Sequence, residues 1–573
     1  MSDPHPIPLP PQAPNFYTAD RSLRRRLRRL LDAESFAWAE PLLTEVGELA
    51  GGPVDQLAEV ADKHRPVLRV RDARGEPADE VVYHPAYVDM ARIAYERLGL
   101  AAMVHREEFR GRPGGAPQVV GTAAQYIFAQ AEQGLMCPII MTDCIVRAIS
   151  RWGSEELRAR WLPRLTTLNY DELTEGAMFF TEKAGGSDVG ANETRAVRRG
   201  DHWELYGDKW FCSNASAGAI LVTARPEGMP PGIQSIGCFL MPARLEDGSR
   251  NRYRIERLKD KLGTWSMASA EVTLEGAIAY QVGPLERGWT VAAEMVNATR
   301  LMVAMGCAGA MRRAFFAARH HAAGRSAFGR RIDQYPMVQQ NLIDLAVEVE
   351  AAQVLMLEVA RAFDRERSGD PAGRALVRIL TPLGKYWNAD RGTPAVRQAM
   401  QILGGIGYVE EWVTARLFRD VQVNQIWEGT PNIICLDVLR TAEKDDSVRI
   451  LLGDLARRLA GVRSPEAAPL AAAVSGAVAT LGATFLEAAG HGRTRLELAA
   501  HRLVSRLACL TVAALFAIEA DQDLAEAGDQ RGLALAEAHL RRWLPDVATA
   551  AGLSTDPFAD HDLAVFDAIV DQA

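Results

Sequence analysis

The chain reads as an α+β protein in which a helical N-terminal domain, a strand-rich middle and a long helical C-terminal half follow one another. Three observations predict this. From Ala177 the apolar pattern changes from a helical period to short alternating runs; from Trp289 to about Leu439 the helical period returns; and about 130 residues, largely Ala-rich helical segments, follow Lys444. Helices bring i, i+3 and i+4 to one face and strands alternate faces, so the change of period marks the change of element.

A length of 573 residues leaves room for three or four domains, each with its own core. The expected divisions are 1–170, 171–285, 286–442 and 443–573. Apolar content of 48% and charged content of 24% are those of a soluble globular chain, and a net charge of −8 argues against a surface built throughout for nucleic acid. The seven cysteines are scattered, with no C-x-x-C pair and no His/Cys cluster at zinc spacing. A reduced, cytoplasmic chain with no disulfide framework and no metal is expected.

Six prolines before Asn15, with no apolar core behind a basic region, suggest an extended arm rather than a secretory signal. The helix from Asp20 sets Leu23, Leu27, Leu30 and Leu31 on one face and six arginines on the other. That polar face reads as solvated, with phosphate binding the alternative. Short helices, a charged turn at Asp72 to Glu76 and a long apolar helix pair follow.

The middle runs "AMFFTE", "HWELYGDKWFCSN", "AILVTAR", "SIGCFLMPA" and "ASAEVTL" are bounded by Gly, Asp or Pro, as in a β-barrel or sandwich. Within them "TEKAGGSD" is a Gly-rich turn whose backbone N–H groups are free to approach an anion or a polar ring edge. In the helical half, small residues around Met302, Ala304, Met305 and Ala308 permit close helix packing, as in a four-helix bundle.

Ala467 to Leu486 runs twenty residues without a charge, but it is mostly Ala and too weakly apolar to span a bilayer. A buried helix and no membrane partner are expected. Glu443 to Asp571 holds 12 Lys/Arg and 19 Asp/Glu, a balance of −7, which disfavours a DNA clamp, although Arg457, Arg458, Arg493, Arg495, Arg502 and Arg506 leave a local patch open.

The segment Gln398 to Asp437 carries the chemistry. It reads as an apolar helix ending at Gly404-Gly405, an amphipathic segment through Arg419 and Asp420, and then Trp427-Glu428-Gly429-Thr430. Taken bare, Glu428 is either a surface carboxylate before a helix or a general base at a loop-to-helix junction, with Thr430 placed to cap the helix from Pro431.

"QILGGIGY" with "IWEGTPN" resembles the C-terminal signature of the acyl-CoA dehydrogenase family. "DEVVYHPAY" with "EQGLMCPIIMT" resembles its AidB-type, DNA-alkylation-response branch. The resemblance implies that fold, FAD as cofactor and an acyl-CoA or acyl-carrier thioester as substrate. It also implies a homo-oligomer, a dimer of dimers, with an electron-transfer flavoprotein, or oxygen if the pocket is open, as the electron acceptor.

By position it makes Glu428 the catalytic base, its pKa raised by burial beside Trp427, and sets Trp427, Arg300 and Ser187 at the substrate. Phe179, Thr181, Ser187, Phe211 and Ser213 match the flavin contacts of the middle domain, and Thr430 and Asn432 those after the base. Arg325 and Phe328 match an arginine turn that reaches a neighbouring subunit's flavin pyrophosphate, and Gln401, Gly404 and Gly405 match a segment touching the adenine half across subunits. Arg300 reads equally as an interhelical salt bridge, and Thr299 stands where some members place their base.

Departures are Lys183 and Ala184 in the flavin loop, Gly263-Thr264-Trp265 for a Gly-x-Arg-type motif, Pro336 for a glutamine, and Trp427 for a tyrosine. The implied activity is α,β-dehydrogenation of an acyl thioester; the alternative is a stress-response flavoprotein whose main role is binding nucleic acid or a protein partner.

Overall fold

The computed structural model describes residues 14–556 and 566–571, so the proline-rich arm falls almost wholly outside the described residues. Two compact units divide the chain. One joins the N-terminal residues to Glu48, Gln118–Gln130 and the chain from Val303; the other joins Leu49–Pro117 and Ala131–Met302.

The second unit holds the seven-stranded sheet, and its pairing closes. Arg195–Arg199 pairs with His202–Ser213, that strand with Ser269–Gln281, Ser269–Gln281 with Gly237–Pro242, Gly237–Pro242 with Ala219–Pro226, and Ala219–Pro226 back with Arg195–Arg199. A ring of pairings with no free edge is a barrel rather than a sandwich. Gly176–Phe179 runs parallel to Ala219–Pro226, and Tyr253–Leu258 lies antiparallel on Ser269–Gln281. Ile220, Leu221, Val222, Phe239 and Leu240 are fully buried, so Ala219–Pro226 and Gly237–Pro242 are covered on both faces.

Arg195–Arg199 ("RAVRR") and Tyr253–Leu258 ("YRIERL") were not among the expected strands, because both are charged on their exposed faces and carry little apolar signal. The N-terminal region also contains a hairpin, Val67–Arg71 with Pro77–Val82, turning at the expected charged segment. There the Asp72 carboxylate accepts from the N–H groups of Arg74 and Glu76.

In the first unit the bundle is built from Gly288–Gly324 (from Val303), Pro336–Arg367, Gly373–Leu403 and Pro431–Lys444. A Cβ on Gly384 would stand 2.9 Å from Val359 Cγ2, so glycine there lets two long helices close on each other. Asn388 donates to the carbonyls of Ala304 (2.9 Å) and Ala352 (3.0 Å) and ties three helices together.

The C-terminal extension continues as helices Ser447–Leu459, Ala468–Ala488, Arg493–Ala527, Arg531–Trp543 and Pro545–Ala550. Among the described residues, three helical stretches are long and apolar enough to cross a membrane, and two of these are 89% and 72% buried. The third, Ala468–Ala488, corrects an expectation: it is only 28% buried. Leu470, Ala471, Val474, Val478 and Leu481 form one buried stripe, and the remaining faces are mostly small residues, with Leu486 81% exposed near the end of the helix.

A second correction concerns the arginine face of Arg21–Leu30. Arg26 is 4% exposed and bonds Glu350 (2.6 Å) and Glu519 (2.7 Å), while Arg29 reaches Asp523 (2.7 Å) and Arg25 reaches Asp529 (3.1 Å). That face is solvated only in part: Arg21, Arg24 and Arg28 are exposed, while carboxylates of Pro336–Arg367, of Arg493–Ala527 and of the segment after it cover Arg25, Arg26 and Arg29. Much of the extension's negative charge is matched inside the protein.

Candidate functional site

In the barrel unit, the chain leaving Gly176–Phe179 enters the loop Thr181–Asn192, and three fixings hold it. Glu182 accepts from the N–H groups of Glu193 (2.6 Å) and Thr194 (3.2 Å), and Asn192 donates to the Phe180 carbonyl at 2.7 Å. The third is steric: a Cβ on Gly185 would lie 2.2 Å from the Asp188 carbonyl oxygen. Under the loop, Lys209 donates to Glu182 (2.6 Å) and to the Thr223 carbonyl (2.7 Å), with no exposed side-chain surface. Burial depresses the Lys209 ammonium, and Glu182 only partly opposes it.

Thr181 is half-buried, and Ser187 is exposed on the loop. Phe179, expected along a flavin ring, is fully buried, on a strand that runs parallel to Ala219–Pro226 with Phe179 opposite Val222. Phe211 projects from His202–Ser213 with 53% of its surface exposed, and Lys259 Nζ lies 4.4 Å from its ring centroid. Two residues on, Ser213 shares a hydrogen bond with Ser269 at 3.1 Å. An exposed aromatic face, adjacent hydroxyls and a glycine-bounded loop are the donor set and shape that a planar, phosphate-bearing cofactor requires.

Arg300 is buried and donates to Asn297 one turn earlier at 3.4 Å. Thr299 gives its hydroxyl to the Val296 carbonyl (2.9 Å) within the same helix.

In the bundle unit, Trp427, Glu428 and Thr430 share one turn. The N–H groups of Ile426 (2.9 Å) and Trp427 (3.0 Å) both donate to the Val423 carbonyl. The Trp427 indole N–H donates to Asn424 at 2.9 Å, and its ring packs on Val303, Cys307 and Ala389. Glu428 is half-buried and holds a left-handed backbone, φ 58°, followed by Gly429 at φ 106°. A non-glycine residue in that region is strained, and such strain is retained where the surroundings impose it.

Thr430 stands at the N-cap of Pro431–Lys444, but its side chain makes no capping hydrogen bond. Asn432 Oδ1 accepts from His501 Nε2 of the extension at 2.7 Å. Arg325 closes the hairpin Ser326–Ala327/Arg330–Arg331 by accepting from Ile332 N–H, and Phe328 stands at its tip, 98% exposed. Gly404 ends Gly373–Leu403 at φ 69°, and it, Gly405 and Gln401 are exposed with open space beside the glycines.

Sequence reading missed Lys385. It is 1% exposed on Gly373–Leu403, and its ammonium donates to the Gly429 carbonyl and, at 3.5 Å, to that of Gln425. It also lies near Cys307, whose thiol burial pushes up to about 12 against the pull of Lys385. The only available signal was one lysine inside an apolar helical run.

A closed barrel carrying a glycine-fixed loop, joined in sequence to a helical bundle that ends in a Trp-Glu-Gly-Thr turn, is the architecture of the acyl-CoA dehydrogenases, and the chain belongs to that family. Residues 177–277 match the acyl-CoA dehydrogenase middle domain and residues 286–443 its C-terminal domain. Its branch is AidB-like: residues 8–172 match the adaptive response protein AidB N-terminal domain, and AidB of Escherichia coli K12 is 37% identical over 460 residues, 78% of this chain and 81% of the relative.

Among solved structures, ACDH-11 of Caenorhabditis elegans in complex with C11-CoA is 26% identical, with a TM-score of 0.88 over 100% of this chain and 97% of that one. An acyl-CoA dehydrogenase of Bacillus anthracis complexed with FAD shares the fold, with a TM-score of 0.70 at 20% identity over 85% and 86%.

Proposed function

We propose that the protein is an FAD-dependent acyl-thioester dehydrogenase, working in the cytoplasm as a homo-oligomer. Family membership and the left-handed Glu428 turn support this reading, and the turn carries most of the weight. Bound FAD would supply a two-electron acceptor for the β-hydride. Thr181, Ser187, Phe211 and Ser213 of the barrel unit would hold it, and Thr430 and Asn432 match the family's cofactor contacts after the base.

Glu428 takes the α-proton of the acyl thioester. The N–H of the same residue stabilises the carbonyl oxygen as it gains enolate charge, which makes removal of a weakly acidic C–H proton feasible near neutral pH. Trp427, packed on the bundle, bounds the acyl end, and Arg300 matches the family's arginine at the substrate. The partner subunit is met through Arg325, Phe328, Gln401, Gly404 and Gly405, all outside the packed core or at its edge. Electrons then leave to an electron-transfer flavoprotein.

The nucleic-acid alternative draws less support. Arg457 and Arg458 pair with Asp454, Arg458 also with Glu358, Arg493 with Glu497 and Arg506 with Asp546. Arginines already neutralised release few counterions from a duplex.

The test is the visible spectrum of the purified protein before and after anaerobic addition of a panel of acyl-CoA and acyl-carrier thioesters. A flavin spectrum that bleaches with at least one thioester is expected. A colourless protein that FAD does not reconstitute, or a flavin that no thioester bleaches while the protein is retained on duplex DNA in a salt-dependent way, would overturn the reading.

A further inference from the structure

The strained Glu428 backbone needs a cause, and local hydrogen bonding supplies only half of one. The N–H groups of Ile426 and Trp427 bind back to Val423, which fixes the entry to the turn. Beyond Trp427 the chain enters positive φ at Glu428 and again at Gly429. Among the described contacts, one group touches both sides of that reversal. The Lys385 ammonium donates to the carbonyl before the turn, at Gln425, and to the carbonyl after it, at Gly429.

Lys385 is well placed to act as a clamp. It projects from the interior of Gly373–Leu403, between Gly384, which packs against Val359, and Asn388, which is bonded to two other helices. Its stem is therefore set where three helices are tied closely together. With 1% exposure, its ammonium has little water to turn to, so the carbonyls it meets are held strongly. The Trp427 ring, seated on Val303, Cys307 and Ala389, secures the same turn from its apolar side.

We propose that Lys385 is a positioning residue: by bridging the Gln425 and Gly429 carbonyls it holds residue 428 in the left-handed conformation that aims its side chain and its N–H. The role of Glu428 as base rests on the function proposed above; the clamp itself does not, and its test separates the two.

The test compares wild-type protein with Lys385→Met, Lys385→Arg and Lys385→Gln by hydrogen exchange and by anaerobic flavin reduction. For Lys385→Met, exchange at residues 426–430 should rise at least tenfold while peptides from Pro336–Arg367 stay unchanged. Flavin content and thioester affinity should stay within about twofold of wild type, and the rate of flavin reduction should fall about a hundredfold, the cost of misplacing a reacting group by about 1 Å. Lys385→Arg, which keeps two donors, should recover most of the protection and part of the rate.

If Lys385→Met does not fold, Lys385→Gln, with one amide donor pair, should show intermediate exchange confined to the turn. Unchanged exchange at 426–430 in a folded variant overturns the clamp, whatever the activity. A wild-type protein that no thioester reduces would instead count against the proposed function, and the exchange result would still decide the clamp.

Discussion

Arg26 and Glu350 meet at 2.6 Å with 4% and 0% of their side chains exposed, one from the first helix and the other from the middle of the bundle. Glu350 is shared: Arg312 reaches it at 2.8 Å and Arg531, from the extension, at 3.0 Å, both without exposed side-chain surface. Burial alone would push the Glu350 carboxyl up, but the guanidiniums of Arg531, Arg312 and Arg26 outweigh it and hold the group well below the usual carboxylate range.

Acid should therefore loosen this unit. A carboxyl whose folded pKa is depressed contributes stability that is present above its unfolded pKa and lost as pH falls towards the folded one. Glu358, held at about 2 by Arg458 and Arg361 against the effect of burial, behaves the same way. Thermal unfolding followed by circular dichroism should show the melting temperature falling between about pH 4.5 and 2. Glu350→Gln at pH 7 should cost about 3–5 kcal/mol, because it leaves buried guanidiniums unpaired.

Glu175 should act in the opposite direction. Burial raises its carboxyl to about 7, and a hydrogen bond from Asn214 at 3.0 Å offsets only part of that. A carboxyl with a raised folded pKa is most favourable below its unfolded value, and its contribution is lost as pH climbs through 7. Glu175→Gln keeps the Asn214 contact and removes the ionisation. The variant should gain stability on wild type between pH 5 and 8 in urea titrations, and a constant difference across that range would contradict the assignment.

Gly185 and Gly476 make a matched pair. Ala at 185 meets the Asp188 carbonyl at 2.2 Å, so Gly185→Ala should cost about 1–3 kcal/mol and lower flavin retention. Ala at 476 meets nothing within 4 Å on an exposed helix face, so Gly476→Ala should stabilise by about 0.5–1 kcal/mol. Denaturant titrations of both report directly.

Phe328 is almost wholly exposed at the tip of a two-residue hairpin turn, where the proposed homo-oligomer would bury it. Phe328→Asp should yield a smaller species in analytical ultracentrifugation, with loss of flavin and unchanged helicity.

Periodicity made the broad fold legible, because barrel strands such as Ala219–Pro226 and helices such as Pro336–Arg367 bury continuous or regularly spaced apolar sets. It failed at Arg195–Arg199 and Tyr253–Leu258, where pairing with neighbouring strands outweighs charged composition. It failed again at Arg26, which looked solvent-facing because nothing local shows that a segment some 490 residues later will cover it. In the candidate site, the sharing of one turn by Trp427, Glu428 and Thr430 could be read from adjacency alone. The partner of Asn432, His501, and the bridging by Lys385 are tertiary and leave no pattern in sequence.

The most direct test of the central claim is the Glu428→Gln variant in anaerobic half-reactions with a thioester that bleaches the wild-type flavin. The account predicts a yellow, flavin-loaded variant that binds the thioester and is not bleached, a loss of at least about a thousandfold in rate. Bleaching at the wild-type rate would contradict it.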